Sequence, residues 1–532
     1  MFGTRGAKRK AAAAAAGAAA GDDREARRAA ALKRAVGSLN AQFFAWVSAQ
    51  QRGADTAHDS WEAGCRDYMR YMRELRAEYA DVALEAKAPV DGVAGAADEG
   101  AGAKIGVEGQ AMTFGTGDFG ILGLGDDVDE SYLPRTVGAL AEVGVTQMVC
   151  GGMHTLALTS AGVVYSWGIN DEGALGRVAN KDVEGSEETP GEVPIASGST
   201  VLKVTAGDSH SIALCADGCV YGWGTYRNSS GPMGFVPGTK VAKAPIVIAG
   251  PKASPATDRV VDVASGADHV LALTAGGEVL SWGCPEKGRL GRVSQADSDT
   301  QDKDQVKGLL PVTLTPTVVP LGGRRPTAIA AGAFCSFVVC GDDVLAFGLN
   351  NYSQLGIELG DGKGVQQEGR EKYEPVRVDA LSGKGVCTLH GGEHHTLAVT
   401  SQGQVLAMGR PTYGRLGRTD VDPESDDPVW APGVVPGIDG VVAVACGLST
   451  SAAISRDGRC WTWGSNTSMQ LGKPKSAPNA DDDEITPYQV KGGKRMAGKR
   501  VTCVSFGGQH SALVAVDGAA AADGAARKRA RA

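Results

Sequence analysis

The residues best suited to chemistry recur in a four-residue corner, Gly-x-x-His, which precedes a short apolar strand. Copies end at His154, His210, His269, His394 and His510, and variant copies end at Cys335 and Thr450. Imidazoles beside Asp208 and Asp268 have the chemistry of general acids and bases or of metal ligands. The sequence contains no Gly-x-Ser-x-Gly, Walker or His-Glu-x-x-His motif, so we predict that no covalent bond is made or broken.

The corner histidines are predicted to be mostly structural. A histidine that recurs at one place in a repeat can satisfy its ring nitrogens within the corner itself. Equivalent positions in neighbouring units are also too far apart for ligands that must lie within about 2 Å of one ion. We therefore expect neither a metal nor a cofactor. Asp208 and Asp268 differ, because an exposed carboxylate suits the basic residues of a protein partner.

The corners belong to a repeat that fills residues 104–517. In the copy at 147–177, the corner is followed by an apolar strand, a tight turn, a strand ending in Trp-Gly, and Asn-Asp-Glu-Gly before Leu-Gly. Strand ends of the Trp-Gly type occur seven times, at Phe114, Trp167, Trp223, Trp282, Phe347, Met408 and Trp463. The seven corners are offset from them, because no corner precedes Phe114 and no Trp-Gly follows His510.

This offset predicts an all-β fold, a seven-bladed β-propeller with four antiparallel strands per blade. Residues 501–516 should pair with the strand that begins at Ala111, so that one blade is built from both ends of the repeat region. Such closure removes exposed sheet edges. Strands such as 155–158 are predicted to lie innermost, facing the axis.

The regions outside the repeat differ in composition. Residues 1–23 and 518–532 are Ala-rich and basic, which predicts disorder. Residues 24–88 are predicted to be α-helical, because apolar residues from Trp61 to Val82 follow one another at spacings of three and four. That stripe suits either a hairpin folded back on 39–50 or an external partner. Residues 89–103 are predicted to be a linker.

Both ends of the chain are basic although its net charge is −8. The clusters are Lys8, Arg9 and Lys10 near the start, and Arg527, Lys528, Arg529 and Arg531 near the end. Such clusters suit DNA phosphates or a nuclear-import receptor, and the alternative is a solvated tail. The eleven cysteines form no Cys-x-x-Cys pair, which indicates free thiols in a reducing compartment. No stretch is apolar enough to predict a membrane span.

Several segments resemble the regulator of chromosome condensation family. They are NDEGALGR at 170–177, EGSEETPGEV at 184–193, AGDSHSIAL at 206–214, WGTYRNSSGPMG at 223–234, FGLNNYSQLG at 347–356 and GRPTYGRLG at 409–417. The resemblance implies a nuclear, chromatin-bound guanine nucleotide exchange factor for the small GTPase Ran. Such a factor binds nucleotide-free Ran more tightly than loaded Ran, so factor and nucleotide weaken each other's binding.

The resemblance also assigns candidate contacts. It matches the family's wedge, which enters the nucleotide-binding region of Ran, to Tyr226, Arg227, Asn228, Ser229, Ser230, Gly231, Pro232, Met233 and Gly234. It places Asp208, Asp268, His394, His510, Arg292 and His154 on the Ran-facing surface, with Asp118 on the same face. Pro237 and Ser353 depart from the family pattern, which has an acidic residue and a histidine there.

For chromatin, the resemblance assigns Arg324 and Arg325 to a loop that contacts DNA phosphates. The family's nucleosome-binding switchback loop corresponds to 295–307, which carries four Asp and no Arg. We therefore expect this loop to be repelled by the nucleosome's acidic patch. Residues 39–88 also resemble a helical segment of nuclear-basket nucleoporins, which implies a partner of that kind. The alternatives are a non-catalytic scaffold of the same repeat family and, further away, a propeller-borne lyase or hydrolase.

Overall fold

A computed structural model describes residues 107–125, 128–179, 186–196, 198–253, 258–300, 302–359, 370–477 and 480–518. The predicted tail, helical segment and linker (1–23, 24–88 and 89–103) and all but the first residue of the C-terminal tail (518–532) lie outside these ranges. The described residues form seven four-stranded antiparallel sheets and one two-stranded hairpin.

The strands follow the chain from blade to blade. The first two are β1 (Gln110–Thr116) and β2 (Glu130–Thr136). Blade 1 contains β3 (Val145–Cys150), β4 (His154–Thr159), β5 (Val164–Gly168) and β6 (Gly191–Glu192). Blade 2 contains β7 (Val201–Ala206), β8 (His210–Cys215), β9 (Val220–Gly224) and, after the hairpin strands β10 (Tyr226–Asn228) and β11 (Gly231–Gly234), β12 (Ala242–Ala249). Blade 3 contains β13 (Val260–Ser265), β14 (His269–Thr274), β15 (Val279–Gly283) and β16 (Thr317–Val318).

Blade 4 contains β17 (Ala328–Ala331), β18 (Cys335–Cys340), β19 (Asp343–Leu349) and β20 (Glu371–Arg377). Blade 5 contains β21 (Val386–Gly391), β22 (His395–Thr400), β23 (Val405–Gly409) and β24 (Val429–Val434). Blade 6 contains β25 (Val441–Cys446), β26 (Thr450–Ser455), β27 (Cys460–Gly464) and β28 (Glu484–Gln489). The last strands are β29 (Lys499–Phe506) and β30 (His510–Asp517).

Short helices occupy some connections. The α-helices among the described residues are α1 (Gln295–Ser298), α2 (Lys303–Thr313) and α3 (Gly493–Met496), and 3-10 turns lie at Asp118–Gly120, Gly138–Leu140, Glu286–Gly288 and Thr412–Gly414. Helix α2 begins at a capping residue, because the Asp302 carboxylate accepts hydrogen bonds from the backbone N–H groups of Asp304 and Gln305.

Both ends of the repeat region build the closing blade, as predicted. Its strand order is β2-β1-β30-β29, and β1 pairs with β30 over six residues, from Gln110 opposite Ala515 to Gly115 opposite His510. The first strands of successive blades contact one another around a closed ring from β3 through β25 to β29 and back to β3. The seven-bladed propeller fold is therefore confirmed.

One detail of the prediction is wrong: the innermost strand is the first of each blade, not the second. In blade 1 the inner strand is β3, and residues 155–158 belong to β4, the second strand. Every residue of β4 is buried, because neighbouring blades cover both faces of the sheet. This uniform burial explains why the middle of the strand is apolar, at Leu156, Ala157 and Leu158, while its polar ends are buried as well.

Hydrogen bonds between blades fix the ring. The Nε2 atom of His154 lies 2.9 Å from Ser211 Oγ on blade 2, and His269 and His395 make the same bond to Ser336 and Ser451. His510 Nε2 bonds to Thr155 Oγ1 at 2.8 Å and so joins the closing blade to blade 1. Four corner histidines, His154, His269, His395 and His510, are therefore structural links from one blade to the next.

Candidate partner-binding site

One end of the propeller collects all the corners. In blade 1, His154 at the start of β4 pairs with Gly168 at the end of β5, so the corner and the turn after the Trp-Gly strand lie at the same end. The other blades share this register. We call this end of the ring the corner face.

A hairpin interrupts the corner face in blade 2. Where the other blades carry the turn before Leu-Gly, residues 226–234 form the two-stranded ribbon β10–β11, here called the wedge hairpin. Gly231 and Gly234 have φ of 115° and 131°, values that only glycine adopts readily. Arg227, Ser229, Ser230 and Pro232 are exposed. The wedge segment predicted from the sequence is thus a hairpin with an exposed tip.

The base of the wedge hairpin is anchored by a buried tyrosine. Tyr226 is 0% exposed, stacks on Phe235 with ring centroids 5.1 Å apart, and accepts a hydrogen bond from Trp282 Nε1 at 2.8 Å. In the preceding blade the corresponding indole, Trp223, donates to a turn carbonyl, that of Ala174. The Tyr226 hydroxyl therefore replaces the carbonyl that the hairpin insertion removed.

The hairpin also changes the link between blades 2 and 3. His210 is fully buried, and Val270 occupies the place of the serine or threonine that follows the last corner residue on the other blades. Neither ring nitrogen of His210 has a hydrogen-bond partner among the described residues, and its ring instead lies 4.7 Å from the Tyr226 ring. Burial lowers the pKa of His210 to about 3, so the ring is neutral.

Asp208 and Asp268 both lie on the corner face beside the hairpin, but at different corner positions. Asp208 is the second residue of its corner and Asp268 the third, so the two carboxylates do not occupy equivalent positions. Asp268 is 8% exposed, and its Oδ1 accepts the backbone N–H of Arg227 at 2.7 Å. Burial and the nearby Asp208 carboxylate raise the pKa of Asp268 to about 7, while Arg289 opposes the shift.

Asp208 is the more accessible of the two carboxylates. It is exposed at the surface, yet loss of water on its protein side raises its pKa, which Arg289 and Arg227 oppose. Arg289 is 4% exposed and is held by its Nε bond to the Glu286 carbonyl and by the Phe334 ring beneath its guanidinium. Two carboxylates near two guanidinium groups make this part of the face strongly polar.

Two further carboxylates that the sequence did not single out contact the hairpin. Glu172, in the blade 1 turn, forms an ion pair with Arg227. Glu286, in the blade 3 turn, accepts hydrogen bonds from the backbone N–H and the hydroxyl of Ser229. Acidic residues in surface turns carry no special signal in a sequence, so only the position of the hairpin between them reveals their role.

Two of the predicted contact histidines do not face solvent. His154 is 1% exposed and His510 0% exposed, and both are used in the links between blades. Burial lowers their pKa values to about 4 and about 3, so both rings are neutral. Direct contact with a partner through either ring is therefore contradicted by their burial.

His394 lies on the corner face, but it is not the corner histidine. Strand β22 begins at His395, whose carbonyl accepts the Gly392 N–H as His154 does for Gly151, so the predicted corner was shifted by one residue. The His394 side chain is 15% exposed and lies against the Tyr352 ring. Burial and two nearby arginines lower its pKa to about 4.

The Arg292 side chain makes hydrogen bonds within its own blade. Its guanidinium donates to the hydroxyl and carbonyl of Ser281 and to the carbonyls of Val312 and Thr315. Arg177 makes the corresponding bonds to Ser166 in blade 1. These bonds give Arg292 a structural role within its blade, and its contact with a partner stays a prediction.

Three positions of the corner face remain: the candidate contact Asp118, and Ser353 and Pro237, where the sequence departs from the family pattern. Asp118 is exposed in the 3-10 turn of the closing blade, next to Phe119, which is 69% exposed. Ser353 is 1% exposed with φ of 60°, so the residue where the family pattern has a histidine is buried here. Pro237 is exposed just after the hairpin.

The arginines proposed for DNA lie at the other end of the ring. Arg324 and Arg325 are exposed in the loop from β16 to β17, which is opposite the corner face. Arg324 Nε lies 3.3 Å from Asp343 Oδ2, so one of the two is partly neutralised. Lys8, Arg9, Lys10, Arg527, Lys528, Arg529 and Arg531 lie outside the described residues.

Two acidic residues of the switchback loop, Asp299 and Asp302, accept hydrogen bonds from other groups of this chain. Asp299 accepts hydrogen bonds from the Tyr373 hydroxyl and the backbone N–H of Lys287, and Asp302 caps helix α2.

Over the described ranges, no three His, Cys, Asp or Glu side chains are grouped as a metal site, and no helix is long and apolar enough to cross a membrane.

Comparison with known proteins places this architecture. The model of the RCC1-like domain matches residues 110–513. The chain is 36% identical over 419 residues to a Homo sapiens protein named regulator of chromosome condensation, covering 77% of this chain and 91% of that protein. It is 29% identical over 445 residues to the guanine nucleotide exchange factor SRM1 of Saccharomyces cerevisiae, covering 75% of this chain and 85% of that protein.

Solved structures agree with the sequence matches. The structure of Prp20p from Saccharomyces cerevisiae, described with its binding to Gsp1p and histones, superposes with a TM-score of 0.68 at 28% identity and covers 80% of this chain and 96% of that one. A structure of Kap60 bound to yeast RCC1 (Prp20) gives the same score and identity, with 81% and 93% coverage. The propeller, its repeat and most of its length are shared, and the chain therefore belongs to the RCC1-like domain family, alongside the regulators of chromosome condensation.

Proposed function

We propose that the protein is a guanine nucleotide exchange factor for the small GTPase Ran. The observation that carries the proposal is the wedge hairpin, which replaces the repeated turn in one blade and lies beside Asp208 and Asp268 on the corner face. The relatives named as exchange factor and as regulators of chromosome condensation support this choice among propeller functions.

Exchange needs no bond chemistry from this chain. An exposed hairpin tip can compete with bound nucleotide for the same space on the GTPase, while Asp208 supplies attraction for basic groups. If the factor binds empty Ran more tightly than loaded Ran, each ligand must weaken the other by the same factor. GTP then replaces GDP because it is the more abundant nucleotide.

The two arginines at the end of the ring opposite the corner face suit a second binding surface, for DNA. Arg324 and Arg325 suit DNA phosphates, and their distance from the corner face leaves the hairpin free. The yeast relative's reported binding to histones and to Kap60 supports chromatin and an import receptor as partners, with the basic tails as the candidate contacts. We accordingly propose a nuclear, chromatin-associated protein. A nucleoporin-like partner for residues 39–88 stays a prediction.

The test is release of labelled GDP from Ran in the presence of catalytic amounts of the full chain. We expect acceleration by the wild-type protein and its loss when residues 226–234 are replaced by the NDEGALG sequence of blade 1. Circular dichroism should show that this variant retains its sheet content. If the wild type releases GDP no faster than the hairpin variant does, the alternative of a propeller scaffold without exchange activity is favoured.

A further inference from the structure

The wedge hairpin is too small to fix its own orientation. It pairs only three residues on each side, and a Cβ placed at Gly231 near its tip would meet no atom within 4 Å. Two-stranded ribbons of this size are marginal in water unless other groups hold them. Tyr226 fixes the base, but the exposed part of the hairpin needs further contacts.

Those contacts come from opposite sides of the hairpin. Glu172 in the blade 1 turn pairs with the Arg227 guanidinium, and the two side chains are 22% and 44% exposed. Glu286 in the blade 3 turn receives the Ser229 N–H at 3.1 Å and the Ser229 hydroxyl at 2.7 Å. Asp268 holds the intervening backbone through the Arg227 N–H.

We propose that Glu172 and Glu286 form a carboxylate clamp that holds the wedge hairpin in one orientation before Ran binds, so that both act as positioning residues for nucleotide release. This inference rests on the exchange function proposed above. A hairpin that is already ordered loses less conformational entropy when Ran binds. More of the binding free energy is then available to displace the nucleotide.

The alternative is that these are ordinary surface ion pairs and hydrogen bonds, which contribute little to the stability of the hairpin's orientation. The geometry argues against it for Glu286, because its carboxylate takes two donors from one hairpin residue, one of them a backbone N–H that fixes the chain itself. Asp171 provides a matched control, since it is an exposed carboxylate next to Glu172 and makes no hydrogen bond or ion pair to the hairpin among the described residues.

The first measurement is amide hydrogen exchange at Ser229 in the full-length protein without Ran. Loss of a hydrogen bond to a charged acceptor should speed exchange about tenfold in Glu286→Ala. Glu286→Gln keeps an acceptor oxygen and should restore slow exchange, and Asp171→Asn should change nothing. Equal rates in the wild type and Glu286→Ala would overturn the clamp.

The second measurement separates kcat from KM for GDP release from Ran. We expect Glu172→Gln and Glu286→Ala to lower kcat about fivefold, with KM changed less than twofold, because the hairpin's action and not docking is impaired. A raised KM with unchanged kcat would make the two residues docking contacts and refute positioning. If the wild type itself fails to accelerate release, the proposed function fails, while the amide measurement still decides whether the clamp exists.

Discussion

Asp268 should make the folded protein less stable as the pH rises, and its amide variant should remove this penalty. Its folded pKa is raised from 3.8 to about 7, mainly by burial. The folded state therefore binds a proton between pH 4 and 7 that the unfolded chain has released. Stability from this group is fully present below the unfolded pKa and is lost as the pH rises through the folded pKa.

The size of the effect follows from the shift. Between pH 5 and pH 8 the penalty grows by about 2–3 kcal/mol, taking about 1.4 kcal/mol per unit and an unfolded pKa near 3.9. Asp268→Asn keeps an oxygen for the Arg227 N–H but cannot ionise. We expect its free energy of unfolding to exceed that of the wild type by a margin that widens by this amount over the same pH interval.

Urea denaturation of both proteins at pH 5, 6, 7 and 8 tests this, because other titrating groups are common to the two and cancel in the difference. Asp208→Asn is an informative companion, since removing its charge should lower the pKa of Asp268 and shift the transition to lower pH. A difference between the wild type and Asp268→Asn that does not vary with pH would refute the reasoning.

Two further changes have distinct expected outcomes. Tyr226→Phe leaves the buried Trp282 indole N–H without its acceptor and should lower the free energy of unfolding by about 1–3 kcal/mol in urea titrations, and an unchanged value would show that another group accepts this bond. Replacing Arg324 and Arg325 by alanine should weaken DNA binding and reduce the slope of log K against log salt by about 1–2 without slowing GDP release. A slower GDP release would mean that the end opposite the corner face is not independent of the hairpin.

The propeller could be predicted because its markers are periodic. Trp-Gly strand ends and glycine corners recur at fixed places, and the offset between the two series determines that one blade joins both ends. The prediction of the inner strand is wrong because the apolar middle of β4 suits a strand at the axis as well as one buried between two neighbouring blades. Composition cannot separate these two environments.

The site was harder to predict because turn chemistry depends on three-dimensional neighbours. The run His390 to His395 contains two adjacent glycines and two adjacent histidines, and only the bond from Gly392 N–H to the His395 carbonyl fixes the register. Arg292 had a usable signal, since an arginine follows Leu-Gly in three blades, which is typical of a structural part of a repeat. Glu172 and Glu286 had none, because their role exists only where a hairpin emerges between them.

The most direct test of the exchange account is complex formation between the full chain and Ran stripped of nucleotide with EDTA. Reciprocal coupling predicts a stable complex in EDTA that dissociates when either GDP or GTP is added with magnesium. The variant lacking the wedge hairpin should bind with a much weaker dependence on nucleotide. Binding of the wild type that is equally strong with and without nucleotide would contradict exchange and identify the propeller as a scaffold.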